Sequence, residues 1–294
     1  MLATIALQSQ FSQQVADSSF KPVLSSPEYQ PGKGPVILID EGHNNFHTST
    51  GRYMPFARLL RADGYIVKGY GESFSKDIPE EAEILVIANA LNELNVQKWY
   101  LPTPSAFTPE EIENIRKWVT GGGSLFLIAD HMPMGGAAKD LAKAFGFRFT
   151  NGFAADTSQP GPATFLRKDN TLVASEITDG RNEKEKVSQV VTFTGQAFTA
   201  PEDATPILMF DKRYLLLESD TAWVFDKTTK YTNIDGWLQG AFMKYGKGKL
   251  VFFGEAAMFT SQLAGPNRTQ VGMTSPYAPE NQRLLLNIIH WLDK

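Results

Sequence analysis

Continuous apolar runs that end in a polar or acidic residue recur along this chain. Runs of this kind are typical of strands buried on both faces of a parallel sheet. They occupy residues 36–40, 65–67, 83–88, 124–130 and 249–254. Helical spacing of apolar residues predicts helices over 53–62, 108–121, 135–145 and 280–292, and Thr108 with Glu111 predicts a capping box at the start of the second. The alternation of strand and helix predicts an α/β fold with a parallel, doubly wound sheet.

The alternation of predicted strands and helices is absent in the middle of the chain and at its start. Between residues 151 and 234, strand-like pieces follow one another without clear helices, which indicates a β-rich, antiparallel insertion. Residues 1–35 are rich in Ser, Gln and Pro and have no clear period, so they predict an N-terminal arm or linker. We expect 36–294 to form a single α/β domain that carries the insertion.

Composition limits the kinds of binding partner that we expect for this chain. The chain has 294 residues, 42% hydrophobic and 20% charged, with a net charge of −4 and no Lys/Arg-rich block, so we expect a small-molecule substrate and neither nucleic acid nor a transmembrane segment. No cysteine is present, which excludes thiolate ligands and a cysteine nucleophile. A short apolar stub before Gln/Ser-rich sequence favours an exported protein, periplasmic or secreted, with its signal peptide trimmed. The oligomeric state stays open.

Polar residues directly follow the predicted strands, where open parallel sheets bind their ligands. Histidine and carboxylate are ligands for zinc, manganese or iron, and zinc is the expected ion. The predicted metal ligands are Asp40, His43, His47 and His131. The predicted catalytic residues are Glu41, Asp130 and Glu255, with Glu41 as the candidate general base on metal-bound water. Asn44, Asn45, Asn89 and Gln262 are the predicted substrate contacts.

A structural interpretation stands beside each of these residues. Asp40 and Asp130 can cap loops by accepting backbone N–H bonds, and His47 can be a solvated loop histidine. His290 lies among apolar residues of the last predicted helix and is interpreted as a packed helix residue. Gly121–Gly123 precede a strand and therefore indicate a helix end, not a phosphate-binding loop.

Several segments resemble one known superfamily. The runs ILIDEGHNN, GGGSLFLIADH and GKLVFFGEAAMFTSQ, followed by NQRLLLNIIHWL, resemble class I glutamine-amidotransferase-like proteins of bacteria, a group that includes trehalose-utilisation-type members. The resemblance touches most of 36–150 and 235–294 and implies a flavodoxin-like sheet with its site at the strand carboxyl ends. Amidotransferase chemistry needs a cysteine nucleophile, so the resemblance implies a pocket that was converted or has lost catalysis.

Three hypotheses follow. The first is a metal-dependent hydrolase that attacks ester, phosphoester or amide bonds through metal-activated water. The second is a non-catalytic ligand- or carbohydrate-binding domain on an amidotransferase-like scaffold. The third is metal-free acid/base catalysis by Glu255 and His131. The first requires the residues around Asp40, Asp130 and Glu255 to meet at one ion.

Overall fold

The structure is a computed structural model that describes residues 14–159 and 161–293. A sheet of nine described strands forms its centre, and five of these strands are parallel, in the order β3-β2-β4-β5-β15. They are β2 (Val36–Asp40), β3 (Ile66–Tyr70), β4 (Ala82–Ala88), β5 (Ser124–Ile128) and β15 (Gly248–Phe253). Each of the predicted apolar runs corresponds to one of these strands. The protein is therefore a mixed α/β protein.

Helices cover both faces of this sheet. They are α1 (Met54–Ala62), α2 (Pro109–Gly121), α3 (Met134–Ala144), the short α4 (Glu176–Asp179) and α5 (Asn281–Asp293). Single 3₁₀ turns occur at Glu93–Asn95, Arg167–Asp169 and Ala257–Phe259. The Thr108 side chain accepts from the Glu111 N–H and the Glu111 carboxylate accepts from the Thr108 N–H, so α2 begins with the predicted capping box.

Successive side chains of the central strands point to opposite faces of the sheet and so enter two separate apolar cores. In β2, Ile37 and Ile39 point into the core beneath α1 and α5, whereas Leu38 points into the core beneath α2 and α3. All three side chains are at most 3% exposed. Because both faces are covered, the middle positions of β2, β4 and β5 are apolar, and the polar residues of these strands gather at and beyond their ends.

The remaining strands pair antiparallel. Strand β14 (Leu238–Tyr245) continues the main sheet beyond β15 and pairs with β10 (Phe198–Thr199) and β11 (Thr205–Met209), and β10 pairs with β6 (Arg148–Phe149). A second sheet has the order β13-β12-β7, from Lys230–Asn233, Tyr214–Glu218 and Phe153–Asp156. Strands β8 (Ala163–Leu166) and β9 (Gln189–Thr192) form a separate pair. Strand β14 lies within the aromatic-rich segment 237–253, and the sequence pattern did not predict it as a separate strand.

The part of the predicted N-terminal arm that the structure describes is packed on the domain. Strand β1 (Val15–Ala16) pairs antiparallel with β16 (Ser261–Ala264), which pairs with β17 (Thr269–Gly272). The Tyr29 hydroxyl also donates to Asp293 at the end of α5. Residues 1–13, which carry the export prediction, lie outside the described residues. In the described chain, no helix has both the length and the apolar character needed to span a bilayer.

Candidate functional site

The carboxyl ends of four parallel strands carry the polar side chains that the sequence singled out. Asp40 ends β2, and Asn89 directly follows β4. Ile128 of β5 pairs with Phe253 of β15, and Asp130 and Glu255 each lie two residues beyond this pair. The two carboxyl groups are therefore on neighbouring strands at the same level of the sheet.

The first group of polar residues, here the β2 cluster, comprises Asp40, His43, Asn45 and Glu111. His43 Nδ1 lies 2.8 Å from Asp40 Oδ1, and its Nε2 lies 3.1 Å from Glu111 Oε1. Burial alone would lower the pKa of His43, but hydrogen bonds and charge from Asp40, and then from Glu111, outweigh burial and leave the pKa raised. The imidazole is thus a buried cation between two carboxylates.

The rest of the β2 cluster is equally saturated. Asn45 donates from Nδ2 to Asp40 Oδ2 at 2.9 Å, and its Oδ1 accepts the His43 N–H at 3.0 Å. The His43 ring is stacked on Phe74 and contacts Phe107. Despite burial, hydrogen bonds from Ser73, Thr108 and His43 lower the pKa of the Glu111 carboxyl to about 2. Both ring nitrogens of His43 are occupied, so the cluster ties β2 to α2.

A second group, here the β4 cluster, comprises His47, Asn89, Asp130 and Gln262. Asn89 Oδ1 accepts the Asp130 N–H at 2.8 Å, so its Nδ2 faces His47 Nδ1, at 3.1 Å, as a donor. The ring proton of His47 must then reside on Nε2, which lies 3.2 Å from the Gln262 amide. The amide nitrogen of Gln262 faces His47 Nε2, whereas the Gln262 oxygen is buried without a partner, so we assign the amide in the flipped orientation, with its oxygen accepting that proton.

The β4 cluster holds a neutral histidine, in contrast to the β2 cluster. Burial, and to a smaller extent the charge of Arg52, lowers the pKa of His47 to about 3. The ring also packs at 4.6 Å against Tyr53, whose hydroxyl donates to the Ala256 carbonyl. His47 is therefore a buried link between β4 and β16, and the solvated loop histidine considered from the sequence is excluded at 3% exposure.

Glu255 is buried beside Asp130. Burial, and then the charge of Asp130, raises the pKa of Glu255 well above its usual range. Its two carboxyl oxygens accept the N–H groups of Ala257 and Met258 at 2.9 and 2.8 Å. At 1% exposure this carboxyl has little access to a substrate, and its contacts hold the turn that follows β15.

His131 is the one predicted site histidine with a ring nitrogen left over. Its Nδ1 donates to the Met132 carbonyl at 2.7 Å, and Nε2 has no hydrogen-bond partner among residues 14–159 and 161–293. The ring is stacked on Phe153, with centroids 4.5 Å apart, and meets the Trp223 ring edge-to-face at 4.7 Å. Trp99 lies 6.1 Å from it. The free lone pair on Nε2 is suited to accept a proton or hydrogen bond.

Aromatic rings continue from His131 along the strand ends. Phe46 meets Trp99 edge-to-face with centroids 5.4 Å apart, and the Arg52 guanidinium lies 3.8 Å above the Phe46 ring. Phe46, Trp99 and Trp223 are all partly exposed. We call the five rings the aromatic platform; its members are Phe46, Trp99, His131, Phe153 and Trp223.

Backbone strain marks the same region. Trp223 has φ of +66°, in the left-handed region that a bulky side chain rarely adopts. Such conformations persist only where surrounding contacts impose them, and they concentrate at functional sites. Asn44 and Asn89 also have positive φ, at +48° and +50°, but asparagine tolerates this region.

The predicted convergence around one ion is not observed. The ligands assigned from the sequence divide between the β2 cluster, the β4 cluster and the platform, and His43 and His47 have both ring nitrogens engaged. Among the described residues, no group of three or more His, Asp or Glu side chains is placed to hold a metal ion. The donor set therefore does not fit a shared zinc, manganese or iron site.

Two predicted residues lie apart from these groups. Glu41, the predicted general base, accepts the Ser49 N–H at 2.7 Å and packs against Gly69 of β3, which makes its contacts structural. Asn44 has an exposed side chain that reaches the Leu91 carbonyl. Asn45 binds Asp40 within the β2 cluster and is not free to contact a substrate.

Sequence reasoning missed four residues. Glu111 was recognised only as a helix-capping residue, although its second oxygen binds His43. Arg52, Trp99 and Trp223 carried no motif, because their positions depend on loops that meet only in the folded protein. For Trp99 and Trp223, the isolated antiparallel bridge between Tyr100 and Thr221 brings the two loops together.

Two recesses lie away from this end of the sheet. One, of 590 Å³, is lined by Trp118, Gly121–Ser124 and Lys249, near the amino ends of the parallel strands. The other, of 300 Å³, lies beside His290 and Trp291. Neither contains a residue of the clusters or the platform. Three of the five platform rings, those of Phe46, Trp99 and Trp223, are partly exposed, whereas His131 and Phe153 are buried.

Comparison with known proteins bears on the fold alone. No family model matches the chain, and no curated protein matches it. The fold is similar to that of the mmIFT52 N-terminal domain, with a TM-score of 0.62 at 13% identity over 88% of this chain and 97% of that one. A ThuA-like protein from Bacteroides uniformis has a TM-score of 0.45 at 12% identity, covering 92% and 94% of the two chains. The first likeness supports the α/β fold and carries no activity to this protein.

Proposed function

We propose that this protein binds a carbohydrate ligand on the aromatic platform. The observation that carries the proposal is the set of three partly exposed rings, Phe46, Trp99 and Trp223, beside the buried His131, whose Nε2 has no partner in the described chain. Sugar rings offer C–H faces that pack on aromatic side chains and hydroxyl groups that need hydrogen-bond partners. Trp99 and Trp223 can supply the faces, and His131 Nε2 can accept from a hydroxyl group.

The strand order of the central sheet is consistent with ligand binding at the platform. Counted along the chain, the parallel strands have the order 2-1-3-4-5, which is the order of flavodoxin-like sheets. Such sheets bind ligands beyond their carboxyl ends, where the platform lies. This order also supports membership of the glutamine-amidotransferase-like superfamily, without its cysteine chemistry. Export, which the amino-terminal residues suggest, stays a prediction and would bring the platform to extracellular sugars.

The binding test is a glycan array followed by calorimetric titration of any sugar retained. We expect Trp99→Ala to lower the affinity roughly tenfold or more, because a stacking ring is lost. Tyr231→Ala is the matched control, since Tyr231 is an exposed ring on β13 outside the platform. Equal affinity of the wild type and the Trp99 variant would remove the platform from the proposal.

A second candidate function is hydrolysis without a metal. It is favoured by His131, because an Nδ1–H bonded to a carbonyl leaves Nε2 as the basic nitrogen, with Asp130 next to it in the chain. His131 would accept the proton of the attacking water. Glu255, with its raised pKa, is the candidate acid, although its burial argues against direct contact.

Activity on model esters, phosphoesters and glycosides distinguishes the candidates. Hydrolysis that survives chelator and disappears in His131→Ala would support the metal-free candidate. Hydrolysis that chelator abolishes, with metal retained on purification, would restore the metal-dependent hydrolase predicted from the sequence. Glycan binding without turnover would support the carbohydrate-binding proposal alone.

A further inference from the structure

Arg52 lies at the edge of the aromatic platform with no acidic partner. Its guanidinium packs over the Phe46 ring at 3.8 Å, and it forms no ion pair with any Asp or Glu that the structure describes. Its Nε is buried without a hydrogen-bond partner. Among the described residues, Arg116, Arg167, Arg181, Arg213 and Arg283 each pair with a carboxylate, whereas Arg58 and Arg61 donate to backbone carbonyls.

An unpaired, half-buried arginine is costly. Removing a charge from water without a partner is unfavourable, so charged side chains in such positions are normally paired. Stacking on Phe46 returns part of this cost and fixes the plane of the guanidinium, leaving its terminal N–H groups to bind a partner from outside the chain. A planar fork of donors is suited to a two-oxygen anion.

Arg52 also lies close to the polar floor beneath the platform. Its charge contributes to the lowered pKa of His47, and its backbone carbonyl accepts from Thr260 at 2.7 Å, which fixes the start of α1 against the turn after β15. Because the pKa of His47 is lowered to about 3, this buried imidazole adds no charge of its own near Arg52 at neutral pH.

We infer that Arg52 binds the anionic group of an acidic sugar whose ring lies on the aromatic platform. This inference rests on the proposed function and specifies its ligand class: a sugar that carries a carboxylate, as in a hexuronic acid, or a sulfate ester. The terminal nitrogens of Arg52 hold two anion oxygens, while Phe46 and Trp99 contact the sugar ring.

The test compares matched ligands by calorimetric titration. The probes are tetragalacturonate, its fully methyl-esterified form and a sulfated galactose tetrasaccharide, each with the wild type, Arg52→Gln and Lys117→Gln. Lys117→Gln is the charge-matched control, because Lys117 is an exposed cation on α2 outside the platform. We expect the wild type to prefer an anionic probe over the ester, and Arg52→Gln to lose roughly ten- to a hundredfold in affinity for it.

The outcomes separate the inference from the proposed function. Retention of the preference in Lys117→Gln and its loss in Arg52→Gln supports the inference, and the probe preferred identifies carboxylate or sulfate. Equal affinity of the wild type for charged and esterified probes overturns the inference and leaves carbohydrate binding intact. Binding of none of the three probes, with a neutral glycan retained on the array, also overturns it. No binding to any glycan overturns both.

Discussion

The β2 cluster and the aromatic platform lie at the same end of one sheet, yet they satisfy their polar atoms differently. In the β2 cluster, both nitrogens of His43 are held by carboxylates, and Asn45 closes the remaining sites on Asp40. On the platform, His131 Nε2 has no hydrogen-bond partner within the described chain, and at its edge Arg52, whose guanidinium packs on Phe46, has a buried Nε without a hydrogen-bond partner. Complete satisfaction indicates a structural role, whereas incomplete satisfaction beside partly exposed rings indicates a place for a ligand.

Burial explains why both regions looked alike in the sequence. Each contains a histidine, His43 or His131, that follows an aspartate at the end of a buried strand, which is also the pattern of a metal site. The difference depends on Glu111, which reaches His43 from a helix 68 positions away. A histidine at a strand end is therefore informative about function only once the partners of both its nitrogens are known.

The largest expected effect concerns the β2 cluster. Asp40→Ala removes the carboxylate beside a cationic histidine, and we expect a loss of roughly 3–5 kcal/mol in the free energy of unfolding, the usual cost of breaking a buried pair. Urea denaturation monitored by circular dichroism measures this. Glu113→Ala, in an exposed pair with Arg116, is the control and should change stability little. A loss equal to that of the control would show that the β2 cluster does not stabilise the fold.

The histidines of the β2 and β4 clusters, His43 and His47, predict opposite pH dependences. His43 has a raised pKa in the folded protein, so its contribution is fully present below the unfolded value near 6.5 and is lost as pH rises through the folded pKa. His47 has a pKa lowered to about 3, so its contribution is present above 6.5 and is lost as pH falls toward 3. At pH 5 the His47 contribution alone would destabilise the fold by about 2 kcal/mol relative to pH 8.

Variants separate these contributions. His47→Gln removes the acid-sensitive group, so its stability should fall less than that of the wild type between pH 8 and pH 5. His43→Gln removes the base-sensitive group and should show a steeper fall toward acid. Unfolding free energies at both pH values measure the slopes. Identical slopes in the two variants would contradict the assignment of one cationic and one neutral histidine.

Much of the fold could be predicted, because it depends on local pattern. The runs at 36–40, 83–88 and 124–130 are continuously apolar between polar ends, which is typical of strands covered on both faces. The capping box at Thr108 fixed the start of α2. Strand β14 was missed because its alternation is hidden by the neighbouring aromatic residues, and its pairing with β10 and β11 is long-range.

The candidate site was less predictable, because it depends on contacts across the chain. The sequence predicted that Asp130 and Glu255 follow buried strands, and the pairing of β5 with β15 brings these two strand ends side by side. It could not show that Gln262 closes the second nitrogen of His47, which requires β16 to fold back over the strand ends. Nor could it show that Trp223, from the antiparallel region, packs on His131.

The smallest expected effect concerns strain at Trp223. Its φ of +66° penalises every residue with a Cβ atom, whereas glycine adopts this conformation without cost. Trp223→Ala and Trp223→Gly both remove the ring, so both should weaken glycan binding to the same extent. Their stabilities should differ. The relief of strain favours the glycine variant by about 1 kcal/mol in the free energy of unfolding, and the greater entropy of its unfolded chain offsets part of this gain. Thermal and urea unfolding of the pair measure the difference, because the lost contacts are the same in both variants.

An alanine variant as stable as the glycine variant would show that the loop relaxes once the indole is absent, and that the ring itself imposes the left-handed backbone. A retained difference would show that the surrounding loops hold this conformation and so preorganise the platform before any ligand arrives.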